Sequence, residues 1–170
     1  KAFLGIKTLI ITDIDTIDVK GEKCRVAEGV SYSNSAISHY FGSVTLDDLK
    51  SYTLNDKIFD KVNNAWVVQN NGKLCIAYQT KENEYNARSF EDAFIHINRN
   101  FVNTNRNEFM GLKNRESFDV ANTDAYDLAA NCVKKKTYFA MDILFHTNDK
   151  YDNWQIPSYI REGLLWLKKD

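Results

Sequence analysis

Two aspartates, Asp13 and Asp15, directly follow a short apolar segment rich in β-branched residues, residues 7–12. Such a segment is typical of a strand buried on both faces of a parallel sheet, and open α/β sheets bind ligands beyond the carboxyl ends of their strands. If the backbone stays extended, side chains at i and i+2 point the same way, so both carboxylates could hold one divalent cation beside water and a phosphate. The alternative is that the pair begins a turn or caps a helix. The hydrophobic strand before it favours the metal site.

Two later residues, Glu91 and Lys136, are further candidates. Glu91 lies two residues after a predicted N-cap, Ser89, where a carboxylate either complements the helix dipole or reaches a metal. Asp92 completes a Ser-x-x-Asp capping box, which leaves Glu91 available for the second role. Lys136 interrupts an apolar stripe over residues 125–144, and a buried lysine needs an anionic partner. It could also extend to solvent at a helix start, and spacing alone does not decide between these alternatives.

The elements that must position these residues are of two kinds. Before residue 80, the pattern predicts strands at residues 7–12, 25–27, 65–69 and 73–79. The last two are predicted to pair as an antiparallel hairpin through a turn at residues 70–72. A polar turn is predicted at residues 31–35, and a capping box predicts a helix start at residues 45–48.

The second half of the chain reads as helical. The predicted helix after Ser89 buries a face formed by Phe90, Ala93, Phe94, Ile97 and Phe101. Residues 98–107 are predicted to be a loop, and residues 125–144 are predicted to share one apolar helical stripe. A last helix is predicted to begin at Pro157, with Ile160, Leu164 and Leu167 on its buried face. The fold class is therefore α/β, with a parallel-sheet core, flanking helices and an antiparallel hairpin in one domain over residues 1–170.

Composition excludes several classes of protein. At 170 residues and 44% hydrophobic content the chain can bury one substantial core. It has no apolar run of about 18 residues and no signal-peptide pattern, which argues against a membrane-spanning and against a secreted protein. Three widely spaced cysteines favour a reducing cytoplasm over a disulfide framework. The net charge of −1 argues against a simple DNA-coating protein, and no Gly-rich loop could bind ATP.

Five segments together resemble the carboxyl-terminal part of OLD-family (overcoming lysogenization defect) ATP-dependent nucleases, which include Gabija-type antiphage enzymes. The matching segments are residues 4–7 (LGIK), 10–15 (IITDID), 87–94 (ARSFEDAF), 136–140 (KTYFA) and 156–164 (IPSYIREGL). They extend over most of the chain. Asp-x-Asp alone is a weak signal, but the ordered combination is specific.

The resemblance implies a Toprim fold that cleaves DNA phosphodiester bonds with two Mg²⁺ or Mn²⁺ ions. It implies that Asp13, Asp15 and Glu91 are metal ligands and that Lys136 is the catalytic lysine. It also implies that Ser89, Ser33 and Asn34 belong to the outer shell. In this family ATP binds an amino-terminal ATPase, which also provides much of the homo-oligomer interface.

The chain also departs from that family pattern. The upstream glutamate motif and the ATPase are absent from these residues, and the chain does not begin with Met. Residues 2–4 resemble the end of a helix terminated by Gly5. The sequence is thus expected to be a Toprim domain truncated at its amino terminus, and weak or inactive as a nuclease by itself.

Two other functions fit the residues. Residues 9–16 also satisfy the opening motif of haloacid-dehalogenase-like phosphatases, with Asp13 as nucleophile and Asp15 as general acid/base. That mechanism needs a further acidic pair after a later hydrophobic strand, for which Asp149 and Asp152 are the candidates. The second alternative is a non-catalytic module that docks DNA or protein.

Overall fold

The computed structural model describes residues 5–120 and 122–169. Internal contacts divide the chain into two compact units. The sheet unit comprises the chain through Arg88 together with the segment from Ser158, and the helical unit comprises Ser89–Pro157. The expectation of a single domain over residues 1–170 remains a prediction. None of the described helices combines the length and the apolar character that a membrane span requires.

A mixed four-stranded sheet forms the centre of the sheet unit. Its strands run in the spatial order β1 (Thr8–Ile11), β6 (Leu74–Ala77), β4 (Ile58–Val62) and β5 (Ala65–Val68). β1 pairs in parallel with β6, in the register Thr8 to Leu74, whereas β4 is antiparallel to both of its neighbours. The predicted α/β class with a parallel sheet is therefore confirmed.

The hairpin pairing predicted from the sequence is wrong. β5 and β6 do form, but β5 pairs with β4, a strand that the pattern did not predict. The turn between β4 and β5 is Asn63–Asn64, and both residues have positive φ, 49° and 66°. This is the geometry that two-residue hairpins require, and Asn tolerates it better than most residues. β6 pairs instead with β1 on one side and with β4 on the other.

β6 is buried along its whole length because helices cover both faces of the sheet. One face carries a core cluster with Ile37 of α1 (Ser35–Phe41) and Leu49 of α2 (Leu46–Ser51). On the other face, Trp166 of α7 (Ser158–Lys168) packs on Cys75 and Ile58.

β1 was predicted to be buried on both faces, but it is only half-buried. It is an end strand of the described sheet, and Ile11 is 45% exposed. The face predicted for α7 is also wrong. Leu164 is 44% exposed, whereas Tyr159, Gly163 and Trp166 are buried. A Cβ at Gly163 would lie 2.7 Å from Leu9 Cδ1, so the absence of a side chain there lets α7 approach β1 closely.

A second, two-stranded sheet joins β2 (Thr16–Ile17) to β3 (Ser31–Tyr32) in antiparallel orientation. The strand predicted at residues 25–27 is wrong, since this segment is a turn containing the buried Val26. The polar turn predicted at residues 31–35 is wrong as well, because β3 and the start of α1 occupy it. The capping box before α2 is confirmed, with Asp48 accepting from the Thr45 backbone N–H at 2.9 Å.

The helical unit is built around an aromatic core. Its helices are α3 (Phe90–Ile97), α4 (Arg99–Asn105), α5 (Ala125–Cys132) and α6 (Lys136–Phe145). Phe94, Phe101, Phe109 and Phe139 meet in edge contacts with ring centroids 5.9–6.1 Å apart.

Two helix predictions for this unit are wrong. Residues 98–107 are helical over most of their length, because burial of Phe101 and Val102 outweighs the low helix propensity of Asn. The stripe over residues 125–144 is broken at Val133, where Lys113 donates to the Cys132 carbonyl and Val133 bridges to Leu112. Lys136 therefore begins a new helix.

Candidate active site

The Asp-x-Asp segment leaves β1 at the carboxyl edge of its parallel pair with β6. Thr12 N donates to the Ala77 carbonyl at 2.9 Å, which extends the ladder by one residue. Ile14, between the two aspartates, is 1% exposed and belongs to the core of the sheet unit. Because Ile14 is packed in the core, the backbone that carries Asp13 and Asp15 is fixed in position.

Asp15 departs from the extended backbone expected from the sequence. Its φ is 53°, so the chain turns at this residue and the i, i+2 argument for one shared direction does not hold. Its carboxylate lies 3.0 Å from the Arg88 guanidinium, and Arg88 is only 9% exposed. Arg88 also donates to the Thr16 carbonyl at 3.1 Å. Arg88 thus ties the Asp15 side chain to the backbone that follows it.

Asp13 is held by Gln79, a residue 3% exposed that follows β6. Gln79 Nε2 donates to Asp13 Oδ1 at 2.6 Å and to the Tyr159 hydroxyl at 3.2 Å. Gln79 Oε1 accepts from the Ile14 N–H at 2.9 Å. One buried amide therefore contacts both the side chain and the backbone of the Asp-x-Asp segment.

The predicted outer-shell residues Ser33 and Asn34 contact the backbone of this segment. Ser33 donates to the Asp15 carbonyl through its backbone N–H at 3.0 Å and through its hydroxyl at 3.2 Å. Asn34 Nδ2 donates to the Asp13 carbonyl at 2.7 Å and to Thr12 Oγ1 at 2.8 Å. Its Oδ1 caps α1, so Asn34 joins that helix to the site loop.

In the helical unit, Ser89 and Asp92 form the predicted capping box. Asp92 accepts from the Ser89 N–H at 2.7 Å and from its hydroxyl at 2.6 Å. This arrangement fixes the first turn of α3, which carries Glu91. Glu91 is buried, with its side chain 8% exposed, so a charged partner is required.

That partner is Lys136, whose ammonium lies 2.8 Å from Glu91 Oε2. The expected anion does lie near Lys136. Of the two alternatives that the spacing left open, the structure has the lysine extended to solvent at a helix start, since its side chain is 67% exposed. Lys136 is the first residue of α6, where a cation opposes the helix dipole. The Glu91 carboxylate offsets that unfavourable placement.

The structure thus gathers the predicted residues into two groups. Asp13 and Asp15 share one loop with Ser33 and Asn34 in the sheet unit, and Glu91 and Lys136 form an ion pair in the helical unit. Sequence reasoning missed Gln79 and gave no role to Arg88. Arg88 directly precedes Ser89 in a motif already singled out, and Gln79 follows a strand parallel to β1.

Asp13 and Asp15 in the sheet unit, and Glu91 in the helical unit, carry carboxylate oxygens, which are the ligand type that Mg²⁺ and Mn²⁺ prefer. Within residues 5–120 and 122–169, no group of three His, Cys, Asp or Glu side chains is arranged to hold a metal ion. The three cysteines are free thiols, all buried.

The chain is 28% identical over 178 residues to Endonuclease GajA of Bacillus cereus (strain HuB5-5), and the match covers 98% of this chain. The chain spans 24% of that protein's length. No family model and no solved structure matches. Similarity over almost every residue supports a distant relationship to a nuclease.

Proposed function

We propose that this chain is the Toprim-type catalytic region of a metal-dependent DNA endonuclease of the OLD family. The observation that carries the proposal is the Asp13–Asp15 loop at the carboxyl edge of a parallel strand pair, with both carboxylates engaged by the buried side chains Gln79 and Arg88. The similarity to an endonuclease supports the same assignment and makes DNA the expected substrate.

In this proposal Asp13, Asp15 and Glu91 hold divalent cations. Bound Mg²⁺ or Mn²⁺ would polarise the scissile phosphate and lower the pKa of a water nucleophile. Lys136 would donate hydrogen bonds to the phosphate oxygens as negative charge develops on them, since an exposed ammonium at a helix start can reach a ligand. Its ion pair with Glu91 orients the ammonium before substrate binds.

Arg88 and Asn34 would have supporting roles. Arg88 keeps the Asp15 carboxylate beside a fixed positive charge, and Asn34 holds the carbonyl of Asp13. Ser33 and Ser89 would stay in the outer shell, because their contacts are to the backbone of the site loop and to a capping carboxylate. Regulation by ATP, homo-oligomer assembly and an antiphage role belong to the same proposal through the family resemblance.

The test is cleavage of supercoiled plasmid DNA by the protein expressed from its complete natural reading frame, with Mg²⁺, Mn²⁺ or EDTA. Asp13→Ala and Lys136→Ala are each expected to abolish metal-dependent cutting. Asp47→Ala and Lys134→Ala are matched controls on exposed positions and should cut like the wild type.

Two results would contradict the proposal. Turnover of small phosphoesters, with a phosphoaspartate trapped at Asp13 and no DNA cleavage, would support the dehalogenase-like alternative. Salt-sensitive DNA binding that persists in EDTA and after Asp13→Ala, again without cleavage, would support a docking module. The phosphatase mechanism needs an acidic pair that follows a hydrophobic strand. In the structure Asp149 and Asp152 follow the helix α6, and residues 146–157 contain no strand.

A further inference from the structure

We infer that Gln79 is a positioning residue that sets the orientation of the Asp13 carboxylate for metal binding. The inference rests on the proposed function, because it concerns the same site. It starts from the burial of a polar side chain: Gln79 is 3% exposed, and an amide buried to that extent costs free energy unless its donors and acceptor are satisfied.

The contacts of Gln79 determine which way its amide faces. The Ile14 backbone N–H, 2.9 Å away, can only donate, so the atom facing it must be the carbonyl oxygen Oε1. The NH₂ group is then directed at Asp13 Oδ1, 2.6 Å away. A flipped amide would place two donors together at Ile14 and two acceptors together at Asp13.

A third contact, to Tyr159, also restrains the amide. Nε2 lies 3.2 Å from the hydroxyl of Tyr159, which is 4% exposed in the first turn of α7. α7 itself is fixed close to β1 and β6, because Gly163 packs against Leu9 and Ala77. Gln79 is therefore held by its place after β6, by α7 and by the Ile14 backbone. Its hydrogen bond fixes the position of one carboxylate oxygen of Asp13.

A fixed donor at Oδ1 has a specific consequence for a carboxylate that binds metal. It restricts rotation of the carboxylate about its Cβ–Cγ bond, so less freedom is lost when an ion binds. Removing such a partner of a metal ligand typically weakens metal affinity by about 10–100-fold. Loss of the Gln79 amide should thus change the metal dependence of the protein more than its maximal rate.

The experiment compares wild type with Gln79→Met, which keeps the length of the side chain but removes the amide. We measure the Mg²⁺ concentration for half-maximal cleavage of supercoiled plasmid, and Mn²⁺ binding by calorimetry without DNA. Both the half-saturating Mg²⁺ concentration and the Mn²⁺ dissociation constant should rise by about tenfold or more. Gln69→Met is the matched control, since Gln69 directly follows β5, and it should change neither value.

The readouts separate positioning from a structural role. If Gln79 only stabilises the fold, Gln79→Met will lower cleavage at every Mg²⁺ concentration and leave both metal constants within twofold of wild type, which would overturn the inference. Should the Met variant not fold, Gln79→Asn carries the same test, since it retains an amide but is one methylene too short to hold both partners.

Asp13→Ala is assayed in parallel. If it cuts like the wild type, the proposed function and this inference both fall. If it abolishes cutting while the Gln79 variants keep wild-type metal constants, only this inference falls.

Discussion

Replacement of Lys57 by Met is expected to stabilise the protein at neutral pH. Lys57 ends a 3-10 turn, Asn55–Lys57, and is only 3% exposed, with its ammonium 4.3 Å from the centre of the Tyr78 ring. Burial lowers the pKa of Lys57 from 10.5 to about 8, against the opposing influence of Glu162, Cys75 and Asp56.

The magnitude follows from that pKa. Since a tenfold change in proton affinity is worth about 1.4 kcal/mol, keeping the buried ammonium charged at pH 7 costs the folded state roughly 3 kcal/mol. The Tyr78 contact returns about 1–2 kcal/mol, which the Met variant would lose. Lys57→Met should therefore raise the free energy of unfolding at pH 7 by roughly 1–2 kcal/mol.

The pH dependence has a definite sign. Between pH 8 and pH 10.5 the unfolded chain holds the Lys57 proton that the folded protein has released, so in this range Lys57 makes the protein more stable as pH rises. Burial raises the pKa of Cys75 from 9.0 to about 11, and this contribution acts in the opposite direction above pH 9. The window from pH 8 to 9 therefore isolates Lys57.

Urea unfolding at pH 7, 8 and 9 measures the effect. The gain from Lys57→Met should be largest at pH 7 and shrink toward pH 9. Lys61→Met is the matched control, because Lys61 also lies over an aromatic ring, Trp66 at 5.9 Å, but is exposed. A Met variant less stable than wild type at pH 7, with an unchanged pH dependence, would refute the reasoning.

Three further predictions concern the helical unit. Gly111→Ala is expected to lower the free energy of unfolding by about 1–3 kcal/mol, because a Cβ there would lie 2.3 Å from the backbone nitrogen of Phe139; urea unfolding measures the loss, and wild-type stability would contradict it. Ser89→Ala should cost about 1 kcal/mol in the same assay through loss of the capping box. Lys136→Ala should lower the free energy of unfolding by roughly 1–3 kcal/mol, because it leaves the buried Glu91 carboxylate without its ammonium partner. Plasmid cleavage by that variant should fall by about a hundredfold or more, and proportional losses of stability and activity would argue against a catalytic role.

The sequence sufficed to predict local features whose signals lie within a few residues. β1, which precedes the Asp-x-Asp pair, is indicated by a continuous apolar run. The capping boxes of α2 and of Ser89–Asp92 are indicated by residues three positions apart that hydrogen-bond to each other. Pairing between strands could not be predicted as well, because it depends on which turn closes a hairpin. Only the turn at residues 70–72 was predicted, whereas the hairpin closes at Asn63–Asn64, so β5 was assigned the wrong partner.

Gln79 was missed because the sequence does not reveal which strand pairs with the other edge of β6. The predicted hairpin assigned β6 one neighbour and left its relation to β1 open. With β6 parallel to β1, the carboxyl ends of both strands meet at one edge, and Gln79 must lie beside Asp13. The environment of Lys136 stayed undecided for a comparable reason, since the apolar stripe continues across a break that tertiary contacts at Val133 and Gly111 impose.

Local features that oppose stability coincide with the candidate residues. Asp15 has a positive φ that costs most residues free energy, and Lys136 places a cation at the end of a helix where the dipole disfavours it. Glu91 buries a carboxylate whose partner is largely in solvent. Asp15→Gly would relieve the backbone cost at residue 15, and apolar residues in place of both Glu91 and Lys136 would remove the charge costs, so packing alone does not account for the residues found there. A role in which their charges act on a ligand does account for them, and it predicts that variants neutral at Asp15 or Lys136 retain the fold while losing metal-dependent cleavage.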